Sequence, residues 1–207
     1  MANSRKRLNA SLPAGLRGKR LALGLSGGVD SVVLLHLLRE LAPRHGFRLS
    51  AVHVHHGLSP NADAWARFCR KLCRDWAVPL GVRKVSVRKK GRGLEAAARE
   101  ARRVAFAAVP ADAIVLAHHL DDQAETVLLN LLRGAGPRGA AAMPVAGRIG
   151  DKRLLRPLLQ VRRREILASA YAQHPERFVR RAPQPAEPPK TVWINPPKPV
   201  DASGELQ

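Results

Sequence analysis

The chain has 207 residues, enough for one domain with its own core, and its 45% hydrophobic content excludes a chain disordered throughout. Lysine and arginine number 36 against 16 acidic residues, a net charge of +20 that indicates a polyanionic partner such as nucleic acid. A basic, solvated surface in an arginine-biased proteome is the alternative. No apolar run approaches the roughly 18 residues of a membrane span, so we expect a cytoplasmic protein that does not contact a membrane.

Strand-like and helix-like segments alternate over most of the chain. The predicted strands are Arg20–Leu25, Phe47–Val54, Leu80–Val87, Ala113–Ala117 and, less regularly, Leu154–Leu159. The predicted helices are Val32–Leu41, Asn61–Trp76, Leu94–Val109, Leu120–Arg133 and Arg163–Ala172. This alternation predicts an α/β fold, an open and mostly parallel sheet with helices on both faces.

The composition changes near the C-terminus. Eight of the sixteen prolines fall in the last 33 residues, where no helical or strand period is visible. We therefore predict one domain over residues 1–172 and an irregular, proline-rich tail over 173–207 that is extended or disordered.

Ligands of an open parallel sheet bind beyond the carboxyl ends of its strands. Three polar segments follow predicted strands in this way: residues 26–31 follow the first strand, 53–56 the second and 118–125 the fourth. We expect these segments to meet at one edge of the sheet.

The first segment is a glycine loop between a strand and a helix, a geometry that cradles phosphate. It consists of Ser26, Gly27, Gly28, Val29, Asp30 and Ser31, and it lacks the lysine of a Walker A motif. A carboxylate at Asp30 would repel phosphates unless a cation lay between them, which suggests a bound nucleotide with Mg²⁺. The alternative is an ordinary turn with Asp30 as a helix-cap carboxylate.

The third segment carries His118 and His119 ahead of three acids. Asp122 and Glu125 lie three residues apart on a predicted helix, so their carboxylates can converge on Mg²⁺ or an ammonium group. The alternative is a solvated helix start whose acids complement the helix dipole. We also expect an apolar face on this helix: Leu120, Ala124, Val127, Leu128, Leu131 and Leu132.

An alanine-rich helix contributes Arg99, Arg102 and Arg103, which are suited to binding phosphate or an RNA backbone. For Arg102 and Arg103 a solvated face paired with Glu95 and Glu100 is the more ordinary interpretation.

Three histidines and the two cysteines match no known set of metal ligands. We expect His53, His55 and His56 to line the mouth of the ligand cleft. Cys69 and Cys73 are expected to be reduced and partly buried thiols.

Together these motifs resemble the N-type ATP pyrophosphatases, or PP-loop enzymes, whose S-G-G-x-D-S pattern matches residues 26–31. Within that group the chain is similar to the tRNA(Ile)-lysidine synthases over about residues 18–170. The similarity rests on H-V-H-H-G-L at 53–58, E-A-A-A-R at 95–99, H-H-L-D-D-Q-A-E-T at 118–126, L-R-G-A-G at 132–136 and R-P-L-L at 156–159.

The resemblance implies a PP-loop, Rossmann-like fold and an enzyme that uses ATP and Mg²⁺ to join L-lysine to a cytidine of tRNA(Ile). The cytidine C2 oxygen would attack the α-phosphate and release pyrophosphate, and the lysine ε-amine would then displace AMP. By the same resemblance, residues 26–31 would hold ATP with Asp30 on Mg²⁺, and Arg99 would steady phosphate charge. Asp122 and Glu125, beside His118 and His119, would guide the lysine or the metal. Arg102, Arg103 and Arg133 would contact the RNA.

Two other interpretations remain open, and one of them follows from a departure from the family. Family members usually continue past the equivalent of residue 172 with a D-P-S/T-N-type segment and helical tRNA-binding regions, which this sequence does not show. A nucleotide- or RNA-binding module without catalysis is therefore one alternative. A tRNA sulfur-transferase of the same superfamily is the other, although Cys69 and Cys73 lack the usual spacing.

Overall fold

The computed structural model describes residues 2–87, 93–136 and 141–173, so the predicted tail lies almost entirely outside the described residues. The strands are β1 (Arg20–Gly24), β2 (Arg48–His55), β3 (Leu80–Lys84), β4 (Ala113–Val115), β5 (Ala146–Ile149) and β6 (Lys152–Leu155). The helices are α1 (Ala2–Ser11), α2 (Val29–His45), α3 (Ala62–Asp75), α4 (Leu94–Ala107), α5 (Leu120–Leu132) and α6 (Arg163–Gln173).

The strands form one six-stranded sheet in the order β3-β2-β1-β4-β6-β5. Every neighbouring pair is parallel except β5 and β6, which form an antiparallel edge. The chain therefore adds strands on one side of β1 and then crosses to its other side at β4, so the strand order reverses between these two strands. The predicted open, mostly parallel sheet is confirmed.

Two apolar cores lie on opposite faces of the sheet. On one face, Leu23 and its neighbours pack against α1, α2, α3 and α6. On the other face, Ala22 and Ile114 pack against Phe106 of α4. Side chains alternate between these faces along each strand, as the pleat requires. The helices on the two sides diverge at the reversal between β1 and β4, and this leaves a crevice there.

The structure corrects the end of the predicted sheet. The strand expected over 154–159 covers Lys152–Leu155, and the chain then turns, with the Leu159 N–H donating to the carbonyl of Arg156. Pro157 has no N–H to offer a neighbouring strand, which favours this early end. The edge strand β5 and the helix α1 were not predicted. In α1 only Leu8 is buried among the side chains described, too few to give a helical period.

The apolar face predicted on α5 is present but is not buried in this chain. No residue of α5 is buried, and Leu132 is 75% exposed. The other strongly exposed leucines of this helix are Leu128, Leu129 and Leu131. The helix is held at its N-terminus, where the Leu120 N–H donates to the carbonyl of Val161. Across the described ranges, no helix is long and apolar enough to cross a membrane.

The contrast between two leucines tests the location of the core. Leu34 of α2 is fully buried, so Leu34→Ala removes apolar contacts and leaves a cavity, and we expect a loss of about 2–5 kcal/mol in the free energy of unfolding. Leu132→Ala is the matched control, with an expected change within about 0.5 kcal/mol. Urea denaturation of both variants checks this, and equal losses would contradict the assignment of the core.

Candidate functional site

A cavity of about 540 Å³ opens at the carboxyl ends of β1, β2 and β4. It is lined by Ser26, Asp30 and Ser31 of the glycine loop. Residues 53–59, His118 and the arginines of α4 line it as well. Gly24 allows Leu116 and Phe106 to pack closely against β1 at the cavity wall, because a Cβ there would lie 2.7 Å from Leu116 Cδ2 and 2.9 Å from Phe106 Cζ. The three polar segments thus meet at one edge of the sheet, as the sequence predicts.

The glycine loop folds through internal hydrogen bonds. The Gly28 N–H donates to Ser26 Oγ at 3.2 Å, Ser31 Oγ donates to the Gly28 carbonyl at 2.9 Å, and the two hydroxyl oxygens lie 3.1 Å apart. Gly27 has a φ of +93°, a conformation that side chains rarely adopt. Val29 packs against the apolar core, so it offers the site its backbone only. No side chain caps the start of α2, which leaves the N–H groups of its first turn available to an anion.

Asp30, in the first turn of α2, is a partly buried carboxylate whose charge is incompletely balanced. Its Oδ1 is buried without a hydrogen-bond partner, with the Nε of Arg163 3.9 Å away. Its Oδ2 lies 3.9 Å from the Nε2 of His119. Burial raises the pKa of Asp30 above its usual value, and the neighbouring Asp122 raises it further, whereas His119 and Arg163 oppose the shift.

This carboxylate fits a divalent cation that also binds a ligand. The orphaned oxygen of Asp30 is the type of hard ligand that Mg²⁺ prefers. Within the described residues no group of three or more acidic, histidine or cysteine side chains is arranged to hold a metal. The remaining ligands would therefore come from the bound molecule and from water.

His119 links Asp30 to the start of α5. Its Nδ1 accepts a hydrogen bond from the Asp122 N–H, while the Asp122 carboxylate accepts one from the His119 N–H at 2.8 Å. This reciprocal capping box fixes the first turn of α5. The Asp122 carboxylate is thereby brought to the same side of the molecule as Asp30, as expected. Glu125 lies one turn further on, exposed, without a hydrogen bond or ion pair to the described residues.

Helix α4 forms a basic wall of the cavity. Arg99, Arg102 and Arg103 all line it, and Arg156 joins them from the end of β6. No ion pair joins these four guanidinium groups to an acid in the described parts of the chain, so the expected alternative pairing with Glu95 and Glu100 is not seen there. Arg133 lies apart from this wall, exposed just after α5. The cavity therefore has a strongly cationic side, suited to a polyanionic ligand.

The histidines after β2 take different roles. His53 is buried, and its Nδ1 contacts the Leu25 carbonyl at 2.8 Å. His55 meets Asp63 at 3.0 Å. All three of His53, His55 and His56 line the cavity, as predicted. Burial lowers the pKa of His53 and of His56, which favours their neutral forms.

Both cysteines are buried on α3, behind the glycine loop. Cys69 Sγ lies 3.6 Å from the Nδ1 of His53, and a Cβ on Gly27 would come within 3.4 Å of the same sulfur. Burial raises the pKa of Cys69 to about 12 and that of Cys73 to about 11. These thiols are held in their protonated, unreactive form.

Three residues of this region were not predicted from the sequence. Trp65 of α3 lines the cavity while 49% exposed, and Arg156 and Arg163 reach the site from the C-terminal part of the described chain. The R-P-L-L motif was a signal for Arg156. Trp65 had no signal, because one exposed aromatic residue forms no pattern.

The family model of the PP-loop domain matches residues 2–180. The chain therefore belongs to the PP-loop family, and the resemblance inferred from the motifs is confirmed.

Among curated proteins it is similar to tRNA(Ile)-lysidine synthases. It is 54% identical to that of Azoarcus sp. over 74% of this chain and 35% of the relative, and 52% identical to that of Neisseria meningitidis over 74% and 36%. The chain spans about a third of the length of these relatives.

Solved structures agree on the fold. The tRNA thiolase NcsA from Methanococcus maripaludis is 20% identical, with a TM-score of 0.68 over 90% of this chain and 67% of that protein. The NMN synthetase from Francisella tularensis is 16% identical, with a TM-score of 0.51 over 88% and 74%. At these identities the likeness concerns the fold alone.

The buried thiols give a prediction about reactivity. In the native protein at mildly alkaline pH, we expect neither cysteine to react rapidly with a thiol reagent such as DTNB, because both are buried and protonated. Unfolding in guanidinium chloride should release two reactive thiols, the full number in the chain. Rapid labelling of either cysteine in the native protein would contradict this and would revive a sulfur-transfer role.

Proposed function

We propose that this chain carries the ATP-binding and catalytic centre of a tRNA(Ile)-lysidine synthase. Such an enzyme joins L-lysine to C2 of a tRNA(Ile) anticodon cytidine and releases AMP and pyrophosphate. The observation that carries the proposal is one cavity that is lined both by the glycine loop with Asp30 and by the basic wall of α4. Relatives of that name, about half identical over three quarters of the chain, support the choice of reaction.

The nucleotide half of the proposal follows from the loop. A triphosphate would lie at the start of α2, with N–H groups of the first turn and the hydroxyl group of Ser26 as donors. The Ser31 hydroxyl donates to the Gly28 carbonyl and would hold the loop in shape. Asp30 would hold Mg²⁺ together with the phosphates, and the ion when bound would neutralise phosphate charge. Arg99, with Arg102 and Arg103, would stabilise the negative charge that develops as pyrophosphate leaves.

The acceptor half of the proposal follows from the start of α5. The Asp122 carboxylate, fixed by the capping box with His119, would attract the lysine ammonium beside the activated cytidine. Glu125 is on the next turn, where its exposed carboxylate would meet a substrate entering from solvent. The positive charge of the chain, including Arg133, would hold the tRNA backbone.

The two alternatives differ in what supports them. A binding module without catalysis shares every feature of the cavity, so only activity separates it from the synthase. A sulfur-transferase needs reactive cysteines, whereas Cys69 and Cys73 are buried with raised pKa values. We therefore favour the synthase over the sulfur-transferase.

The proposed role of Asp30 predicts a selective loss of Mg²⁺-dependent binding. Asp30→Ala removes the carboxylate that would hold the ion, and we expect MgATP affinity to fall at least about thirtyfold, or about 2 kcal/mol. Asp75→Ala, which removes an exposed carboxylate paired with Lys71 on α3, is the control and should bind as the parent does. Calorimetric titration with and without Mg²⁺ checks both. Parental MgATP affinity in Asp30→Ala would show that the assigned role is wrong.

Pyrophosphate release separates the synthase from a binding module. With ATP and tRNA(Ile) we expect pyrophosphate release, because the cytidine attacks the α-phosphate before lysine takes part. We expect AMP release only when lysine is also present, because the amine displaces AMP from the activated cytidine. Asp122→Asn should lower lysine-dependent AMP release more than it lowers the affinity for ATP. Normal ATP binding without any such release would favour the module instead.

A further inference from the structure

His118 and Arg156 touch at the wall of the cavity, although 38 residues separate them in the sequence. Strands β4 and β6 are hydrogen-bonded neighbours, and each residue lies just beyond the carboxyl end of one of them. Arg156 Nε lies 3.2 Å from the Nδ1 of His118, and Arg156 Nη1 donates to the Pro144 carbonyl at 2.7 Å. Two contacts therefore fix the guanidinium plane.

The direction of this hydrogen bond is set by chemistry. A guanidinium group has donors only and stays protonated in proteins, so the Nδ1 of His118 must be the acceptor. A neutral imidazole carries one hydrogen, and it must then be on Nε2. The Nε2 atom makes no hydrogen bond to the described residues, so its N–H is available to a ligand in the cavity.

We infer that Arg156 is a positioning residue that holds His118 in the Nε2–H tautomer, so that His118 serves the cavity as a neutral hydrogen-bond donor. The inference about the tautomer concerns the free protein, whereas the identity of the acceptor, an oxygen of the bound nucleotide, rests on the proposed function. His118 cannot act as a base in this state, because its single lone pair is already engaged by Arg156.

The electrostatic surroundings of His118 favour the same state. Burial is the main cause that lowers its pKa to about 4, and the charges of Arg156, Arg102 and Arg99 lower it as well. Among the described residues, the charge of Asp122 opposes this shift. At neutral pH the ring is therefore uncharged, and its N–H adds a directed donor beside the cationic wall. A lysine substrate would have to give its proton to another group.

Nitrogen-15 NMR of the imidazole rings of the free protein tests the tautomer directly. We expect His118 to show a protonated Nε2 and an unprotonated Nδ1, unchanged between about pH 5 and 8. Arg156→Met removes the donor and the charge, so the tautomers should mix and the pKa of His118 should rise. A protonated Nδ1 in the parent, or a His118 that titrates near neutral pH, would overturn the inference without bearing on ATP binding.

Matched substitutions of His118 test the donor role. His118→Ala should weaken MgATP binding by about tenfold, the worth of one hydrogen bond. His118→Gln places a neutral amide donor near the position of Nε2 and should recover most of that loss. If the Gln variant is as impaired as the Ala variant while both remain folded, His118 acts by another means and the donor role fails. Both variants are compared by their equilibrium affinity for MgATP, so the comparison remains valid even if the chain does not modify tRNA.

Discussion

The reversal of strand order between β1 and β4 is the constraint on which the site depends. Strands added on one side of β1 carry α2 and α3 to one face, and the crossing to β4 places α4 on the other face. The helices on the two faces diverge at this point, and the space between them is the cavity. The glycine loop after β1 and the paired histidines after β4 are neighbours for this topological reason alone.

The cavity and its rim carry groups of unlike charge. The partly buried Asp30 lines the cavity, and further carboxylates gather around His119 at the start of α5. Helix α4 lines the same cavity with arginines that have no ion-pair partner among the described residues. A buried carboxylate oxygen without a hydrogen bond, as on Asp30, is a feature that ligand sites often show. A nucleotide that brings both phosphates and a cation would complement both Asp30 and the arginines.

The sequence predicted those features that depend on local periodicity. Four strands and their helices lie near their predicted positions because apolar alternation and glycine breaks are local signals. It did not predict α1 or β5, whose short and polar segments carry no period. The sequence also predicted that leucines form an apolar face on α5. Periodicity identifies such a face but does not show whether it is buried against other residues.

The site was predictable to a similar extent. Parallel-sheet topology predicted that residues 26–31, 53–56 and 118–125 lie together, and the cavity is lined by Ser26, Asp30 and Ser31 of the first segment, by residues 53–56 and by His118. The contacts of Arg156 with His118 and of Arg163 with Asp30 could not be predicted, because they join residues far apart in sequence. Only the register of β4 against β6, and the docking of α6, bring these pairs into contact.

A crystal structure with Mg²⁺ and a non-hydrolysable ATP analogue would show whether the cavity holds a magnesium nucleotide. We expect a triphosphate on the first turn of α2, a Mg²⁺ ion shared between its oxygens and Asp30, and guanidinium groups of α4 facing the phosphates. An analogue bound elsewhere on the protein, or phosphates turned away from Asp30 with no ion between them, would contradict this expectation.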